Sequence, residues 1–396
     1  MQRAVWAIAF LTCCAFFPGL AEARTQASER AMVQPVWTRA NAEVLRRWVL
    51  ASPDDALPAI STAALDKALS ARDAEELDDA ATMLALRLAR DHLVGAAGAS
   101  QRAGWNILDT DRDVALEPML AHALATGTLD TFFAGLRPAH PDYAVLRAAL
   151  ARETDAARRR TIARNMERWR WMPRSLGRDH VFVNTARFEA ELWRAGRKAG
   201  TWRIIAGKKS TPTPVFEARI TGVVLNPWWE IPASIVRESV GRLVRRDPAT
   251  ARALGYVWSG GRYRQKPGPN NALGQMKLVM PNPYSVYMHD TPNKQLFAEP
   301  VRAFSHGCVR TDDAIGYAAT LLDGVMTRER VDEIVRSRAT TTVNLERPLP
   351  IYLAYFTAVA NAAGELELLP DIYGRDGRIA VAGFDRTTAE TECATG

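Results

Sequence analysis

A change of hydrophobic period near Pro173 constrains the fold of this chain more than any other feature. Residues 30–171 carry apolar side chains at helical spacing, most clearly over Leu77–Leu93, where acids come early and basic residues late, as the helix dipole favours. Pro141 stands where a helix can open, and Asp142–Trp171 holds no further proline, so one long helix is expected there. Pro173 ends that run. After Asp179 the pattern turns to short β-branched or aromatic segments between Gly, Pro and Asn turns. Strands are expected at His180–Asn184, Phe188–Trp193, Thr201–Ile205, Phe216–Leu225, Gln275–Val279, Ser285–Met288, Ile351–Val359 and Glu365–Leu369. Ile231–Gly268 interrupts them with a helix expected over Ser234–Arg246. A helical run followed by a strand run gives an α+β chain: an all-helical part at 30–171, a β-rich part at 179–384 with a short helical insertion at 231–268, and a polar, flexible tail at 385–396.

Composition narrows the class without naming a function. With 47% hydrophobic and 8% aromatic residues the chain is an ordinary globular protein, neither disordered nor collagenous. Four cysteines and six histidines exclude a disulfide framework and a multi-zinc protein. Arg3, the apolar run Ala4–Phe17, the break at Pro18-Gly19 and Ala21-Glu22-Ala23 form the layout of a secretory signal peptide at 1–23. No second apolar run is long enough for a transmembrane span, so an exported protein is expected. Cleavage would remove Cys13 and Cys14 and leave Cys308 and Cys393. A lone interior cysteine in an oxidising compartment invites a catalytic reading.

The text around Cys308 supports it. His289 and His306 lie within twenty residues of it, and the local sequences are Tyr287-Met288-His289-Asp290 and Ser305-His306-Gly307-Cys308-Val309-Arg310. A thiol attacks only once deprotonated, so it needs an imidazole as base or ion-pair partner. His289, ending an expected strand, is rigidly presented; His306 suits a structural role better. Gly307 can take positive φ, so that amides at Gly307 and Cys308 face a developing oxyanion. Arg310 can grip a carboxylate with two hydrogen bonds. Two other readings stand beside this one. A buried Cys is commonly only a small hydrophobe. A zinc set of His289, His306 and Cys308 lacks a clear further ligand.

The spacing from His289 to Ser305-His306-Gly307-Cys308 resembles the catalytic signature of the L,D-transpeptidase (YkuD-type) family, and the surroundings resemble its long Gram-negative periplasmic branch. Further matches are Asn165-Met166-Glu167-Arg168-Trp169-Arg170-Trp171, Thr213-Pro214-Val215-Phe216, Asn226-Pro227-Trp228-Trp229, Pro267-Gly268-Pro269-Asn270-Asn271-Ala272-Leu273-Gly274 and Pro370-Asp371-Ile372-Tyr373-Gly374-Arg375-Asp376. Pro35-Val36-Trp37 and Leu136–Pro141 resemble that branch's scaffold domain less sharply. One departure is visible: Asp142–Trp171 leaves no room for the small peptidoglycan-binding domain that the branch inserts there.

The resemblance implies peptidoglycan cross-linking without metal or other cofactor. Cys308 would attack the third residue of a tetrapeptide stem, a diaminopimelate, and release D-Ala. A second diaminopimelate amine would then take the acyl group, giving a 3-3 cross-link in the periplasm. His289 would handle the thiol proton; Ser305, His306 and Gly307 would support the turn or the oxyanion; Arg310, Tyr287 and Trp228 would contact substrate. The same site could instead attach a lipoprotein, exchange terminal D-amino acids or trim stems as an L,D-endopeptidase. A silent peptidoglycan-binding protein and a metal-dependent amidase are more distant readings. Ile231–Gly268 would act as a lid, with Gly241, Gly260 and Gly261 as hinges. The net charge of +7 also finds a place: this insertion holds eight basic residues against two acidic ones, and Arg152–Arg174 holds eight arginines against three acids. Carboxylate-rich stem peptides then suit the charge better than nucleic acid or a membrane. Oligomeric state is not legible.

Overall fold

The computed structural model describes residues 36–385 of the 396. The expected signal peptide, Pro35 and Cys393 lie outside the described residues, as does the tail beyond Asp385. The chain begins as helices: α1 (Arg39–Leu50), α2 (Ala63–Ala71), α3 (Ala74–Val94), α4 (Leu116–Thr126), α5 (Leu129–Gly135), α6 (Pro141–Leu150) and α7 (Ala156–Trp169). Local chemistry sets their starts. Thr38 caps α1, Asp73 accepts the Glu75 and Glu76 amides at the head of α3, and Pro141 occupies the first turn of α6. Leu45, Val49, Leu65, Ala85, Leu88, Leu120 and Phe133 bury one continuous core between the first five helices. A short strand, β1 (Trp105–Asn106), breaks the expected all-helical run and pairs in parallel with a strand far along the chain.

The second half is built on one mixed ten-stranded sheet. Its strands are β2 (His180–Asn184), β3 (Glu189–Arg194), β4 (Arg197–Gly207), β5 (Val215–Leu225), β9 (Met276–Val279), β10 (Met288–His289), β11 (Ala303–Ser305), β12 (Val309–Thr311) and β13 (Thr341–Ala354), with β1 on its edge. The order runs β1-β5-β13-β2-β3-β4-β12-β10-β9, and a further β5–β9 pairing closes the path on itself. Val181, Val183, Leu192, Ile204, Val223, Leu278, Met288 and Val309 turn inward to a core that α11 (Ala314–Leu321) and α12 (Arg328–Ser337) cover. The insertion forms a separate small unit. In it β6 (Trp229–Glu230), β7 (Tyr256–Ser259) and β8 (Arg262–Gln265) make a three-stranded sheet beside α8 (Ala233–Ile235), a π-helical turn (Val236–Val240), α9 (Gly241–Arg246) and α10 (Pro248–Ala253). A last hairpin pairs β14 (Ala358–Ala360) with β15 (Leu366–Leu368).

Several expectations shift, each for a local reason. The single helix expected over Asp142–Trp171 is two, because Glu153 accepts the Thr154 and Asp155 amides and Asp155 then caps a new start at α7. The strand expected from Ile351 begins ten residues earlier, at Thr341; Pro348 falls in a bulge between Asn344 and Leu349, and Pro350 sits just beyond it opposite Arg219. It also stops at Ala354, where the side chains of Asn184 and Asn165 take the Phe356 and Thr357 amides from the ladder. Ser285, at φ 55°, is not extended, so β10 starts only at Met288. Between α6 and β2 the chain is α7 and a short connection, so no independent module sits there.

One belt of buried polar groups ties α7 to the sheet. Arg168 donates to Asp376 at 2.6 Å, and the Thr357 hydroxyl donates to the same carboxylate. Asp371 accepts the Tyr355 hydroxyl and the Arg375 and Asp376 amides. Tyr373 donates to the Gly207 carbonyl at 2.6 Å, and Arg375 donates to the Thr213 carbonyl at 2.9 Å. The Thr213 hydroxyl donates in turn to the Gly307 carbonyl at 2.9 Å. The belt thus ends on the residue before Cys308.

Candidate active site

Strand register assembles the site. β10 lies between β9 and β12, pairing His289 with Lys277 on one side and with Arg310 on the other. Directly paired residues share a face, and residues two apart on one strand share it too. Lys277, His289 and Arg310 therefore form one row, with Tyr287 and Cys308 beside it, while Met276, Met288 and Val309 point into the core. The Tyr287 and His289 rings meet edge to face at 5.5 Å, and the Lys277 ammonium sits 4.2 Å from the Tyr287 ring centre.

The turn carrying Cys308 is fixed from within. Ser305 Oγ donates to the Cys308 carbonyl at 2.5 Å and accepts the Gly307 amide at 3.1 Å. Gly307 has φ +112°, a conformation that L side chains rarely adopt. This corrects one expectation: the Gly307 amide is spent on Ser305 and does not face an oxyanion. The Cys308 amide has no protein partner among the described residues, which leaves it as a donor toward the site. Ser305 orients the turn and not His289.

His289 is held by backbone. Its Nδ1 lies 2.5 Å from the Asp290 carbonyl, which can only accept, so Nδ1 carries the proton and Nε2 of the neutral ring carries the lone pair. Asp290 is pinned in turn: its carboxylate accepts the Gln275 amide at 2.8 Å and pairs with Lys294. Gly274 makes that approach feasible, since a Cβ there would sit 2.3 Å from the Asp290 carboxylate. Burial, then the Arg310 and Lys277 charges, push the His289 pKa down to about 3. Burial pushes the Cys308 thiol up, against the Tyr287 backbone and Lys277, which pull it down. Both shifts favour a neutral imidazole beside a neutral thiol. The thiol faces the Ser285 carbonyl at 4.0 Å and makes no hydrogen bond with His289 in this structure.

Other expected residues divide. Tyr287 stands beside the thiol, and burial pushes its phenol well above its ordinary pKa. Arg310 flanks His289 with its buried Nε unpartnered. His306 turns outward to Glu238 of the insertion at 3.0 Å and to Lys208 at 3.2 Å, so it links the nucleophile turn to the insertion. Trp228 lies under Arg264, 4.6 Å from guanidinium to ring centre, at the base of the insertion. Gly241 opens α9 directly after the π-helical turn, where a Cβ would meet the Val236 carbonyl at 2.8 Å; Gly260 and Gly261 form the β7–β8 turn. Lys277 is the residue that sequence reasoning missed, although it stands three positions beyond the matched Asn271–Gly274 segment. Among the described residues no three His, Cys, Asp or Glu side chains are arranged to hold a metal ion. None of their helices is long and apolar enough to cross a membrane.

Residues 178–332 match the L,D-transpeptidase catalytic domain (YkuD), and residues 29–150 match the Scaffold domain. A curated Haemophilus influenzae protein, named as a candidate L,D-transpeptidase, is 32% identical over 244 residues, covering 56% of this chain and 49% of that protein. The chain thus spans about half the length of that relative. Among solved structures, a cysteine-to-serine mutant of the Enterococcus faecium L,D-transpeptidase is 13% identical, with a TM-score of 0.22 over 46% of this chain and 52% of that one. The E. faecium catalytic domain acylated by ertapenem is 14% identical, with a TM-score of 0.23 over 44% of this chain and 96% of that one.

Proposed function

The chain belongs to the L,D-transpeptidase family through its catalytic domain, and from that premise we propose that it is an exported, periplasmic enzyme in which Cys308 carries out acyl transfer on peptidoglycan stem peptides. The observation that supports this most is the register that pairs His289, with its lone-pair nitrogen defined, with Arg310 of the adjacent strand, whose first residue directly follows Cys308. Substrate binding brings the thiol proton to His289 Nε2, and the sulfur adds to the carbonyl of the third stem residue, a diaminopimelate. The Cys308 amide and the Tyr287 hydroxyl are the donors for the resulting oxyanion. Collapse of the adduct breaks the C–N bond; His289 returns the proton to the leaving amine of D-Ala, and a thioester remains. The amine of a second diaminopimelate then attacks, loses its proton to His289 and restores the thiol, giving a 3-3 cross-link. Lipoprotein attachment, D-amino-acid exchange and L,D-endopeptidase trimming use the same first half and differ only in the acceptor.

The insertion covers the site as a lid through the Glu238–His306 contact, limiting water at the thioester. Mass spectrometry of muropeptides incubated with the mature protein tests the reading. Dimers, exchanged tetrapeptides or trimmed monomers are expected with wild type and none with Cys308→Ala; product surviving in that variant would sink the nucleophile. Deleting residues 231–268 is expected to raise hydrolysis relative to transfer.

A further inference from the structure

Cations in folded proteins are usually matched, and the two beside Cys308 are not. Among the described residues, no carboxylate lies within 4.0 Å of Lys277 or Arg310. The acid that acts on Lys277, Glu230, is already engaged by Arg262 at 3.2 Å and Arg264 at 2.8 Å. Lys277 gives its ammonium only the face of Tyr287. Arg310 keeps a buried guanidinium N–H with no acceptor. Desolvation pushes both cations toward their neutral forms, and no paired carboxylate offsets that cost. The register places them on opposite sides of His289, one strand away in each direction. A substrate bound across that imidazole meets a cation on each flank.

We propose that Lys277 forms a second carboxylate-binding subsite of the donor stem, opposite Arg310, so that the site reads two carboxylates bracketing the scissile carbonyl. This rests on the peptidoglycan reading above for its substrate, but its chemistry can be tested without it. Two carboxylates of a tetrapeptide stem lie close to the scissile bond: the terminal one of the departing residue and the free one on the diaminopimelate side chain. A grip on the terminal carboxylate would restrict donors to stems ending one residue beyond the bond. A carboxypeptidase-type reaction would then have to supply them from longer precursors.

Alkylation of Cys308 supplies a substrate-independent test. Iodoacetate carries a carboxylate and iodoacetamide does not; a change in thiol reactivity affects both alike, so the ratio of their rates, taken at high ionic strength to screen long-range attraction, reports carboxylate binding. Lys277→Met is expected to lower the iodoacetate-to-iodoacetamide ratio about tenfold, the size of one charge-assisted hydrogen bond, and Lys277→Arg to keep it. An unchanged ratio in Lys277→Met overturns the proposal. Steady-state assays then assign the source, using a tetrapeptide stem, its terminal carboxamide, and a stem with lysine in place of diaminopimelate. Lys277→Met should raise KM for the tetrapeptide about tenfold with kcat nearly unchanged. It should also erase the wild-type penalty for whichever analogue lacks the carboxylate that Lys277 binds. Penalties for both analogues equal to wild type also overturn it. Failure of the wild-type protein to turn over any stem removes the peptidoglycan reading, while the alkylation ratio still decides the subsite.

Discussion

At the junction of the helices with the sheet, Arg168 and Arg170 are among the most deeply buried large side chains, and each has its carboxylate: Asp376 at 2.6 Å and Glu167 at 3.3 Å. Arg170 also donates to the Tyr143 hydroxyl and the Asp55 carbonyl, so its charge is answered on several sides. On the active face, Lys277 and Arg310 are less buried yet have no acid. Depth of burial therefore does not track pairing in this molecule. At the junction the chain supplies anions to Arg168 and Arg170, while Arg375 of the same belt rests on the Thr213 carbonyl and two tyrosine rings; at the cleft the anion is left to come from outside. The same contrast applies to histidine, because buried His289 is held toward its neutral form by desolvation and the Arg310 charge while exposed His306 is paired with Glu238.

Breaking a junction pair should have the largest effect. Asp376→Ala strands Arg168 and should cost about 3–5 kcal/mol of stability in urea unfolding, while Arg168→Met combined with Asp376→Leu should recover most of it. A loss below about 1 kcal/mol would mean that the junction charge is as free as those of the active face. Next comes Ser305→Ala, which frees the Gly307 amide and the Cys308 carbonyl. It should cost about 1–3 kcal/mol of stability and lower acyl-transfer kcat more than KM. Lys277→Met should not lower the melting temperature, since no protein anion loses its partner and the desolvation of the ammonium is relieved.

That variant also sharpens the comparison through pH. Burial raises the thiol pKa and the Lys277 charge partly opposes this, so thiolate should appear only above the ordinary thiol range and higher still in Lys277→Met. Iodoacetamide rates against pH should thus show a single rise that moves upward in the variant; a plateau at neutral pH would signal an ion pair instead. The smallest change belongs to Glu238→Gln, an exposed contact. Melting should not move, but the hydrolysed fraction of product should rise if the insertion is held down through His306.

Much of this was legible because motifs are local and strand partners are not. Cys308, His289 and Arg310 advertise themselves through neighbours in sequence. Lys277 does not: a single lysine in Met276–Val279 reads as one polar face of a half-exposed strand, and only its pairing with His289 reveals where it stands. The helix break before α7 was written in Glu153 and Asp155, but acids near a helix start and acids on a helix face look alike without the capping contacts. The early start of β13 at Thr341 was not legible because a bulge around Pro348 separates its two paired stretches. The expected oxyanion role of the Gly307 amide failed because Ser305 sits within reach to claim it, a competition that spacing alone cannot rank.

The belt that ends at Gly307 also sets an order of assembly. Its anchors, Asp371, Tyr373, Arg375 and Asp376, leave the ribosome well after Cys308, yet they brace Gly207 and Thr213, and Thr213 holds the nucleophile turn. A nascent or half-threaded chain has its thiol but not the frame around it. The frame around the Cys308 turn is therefore complete only once the last-made part of the chain has docked.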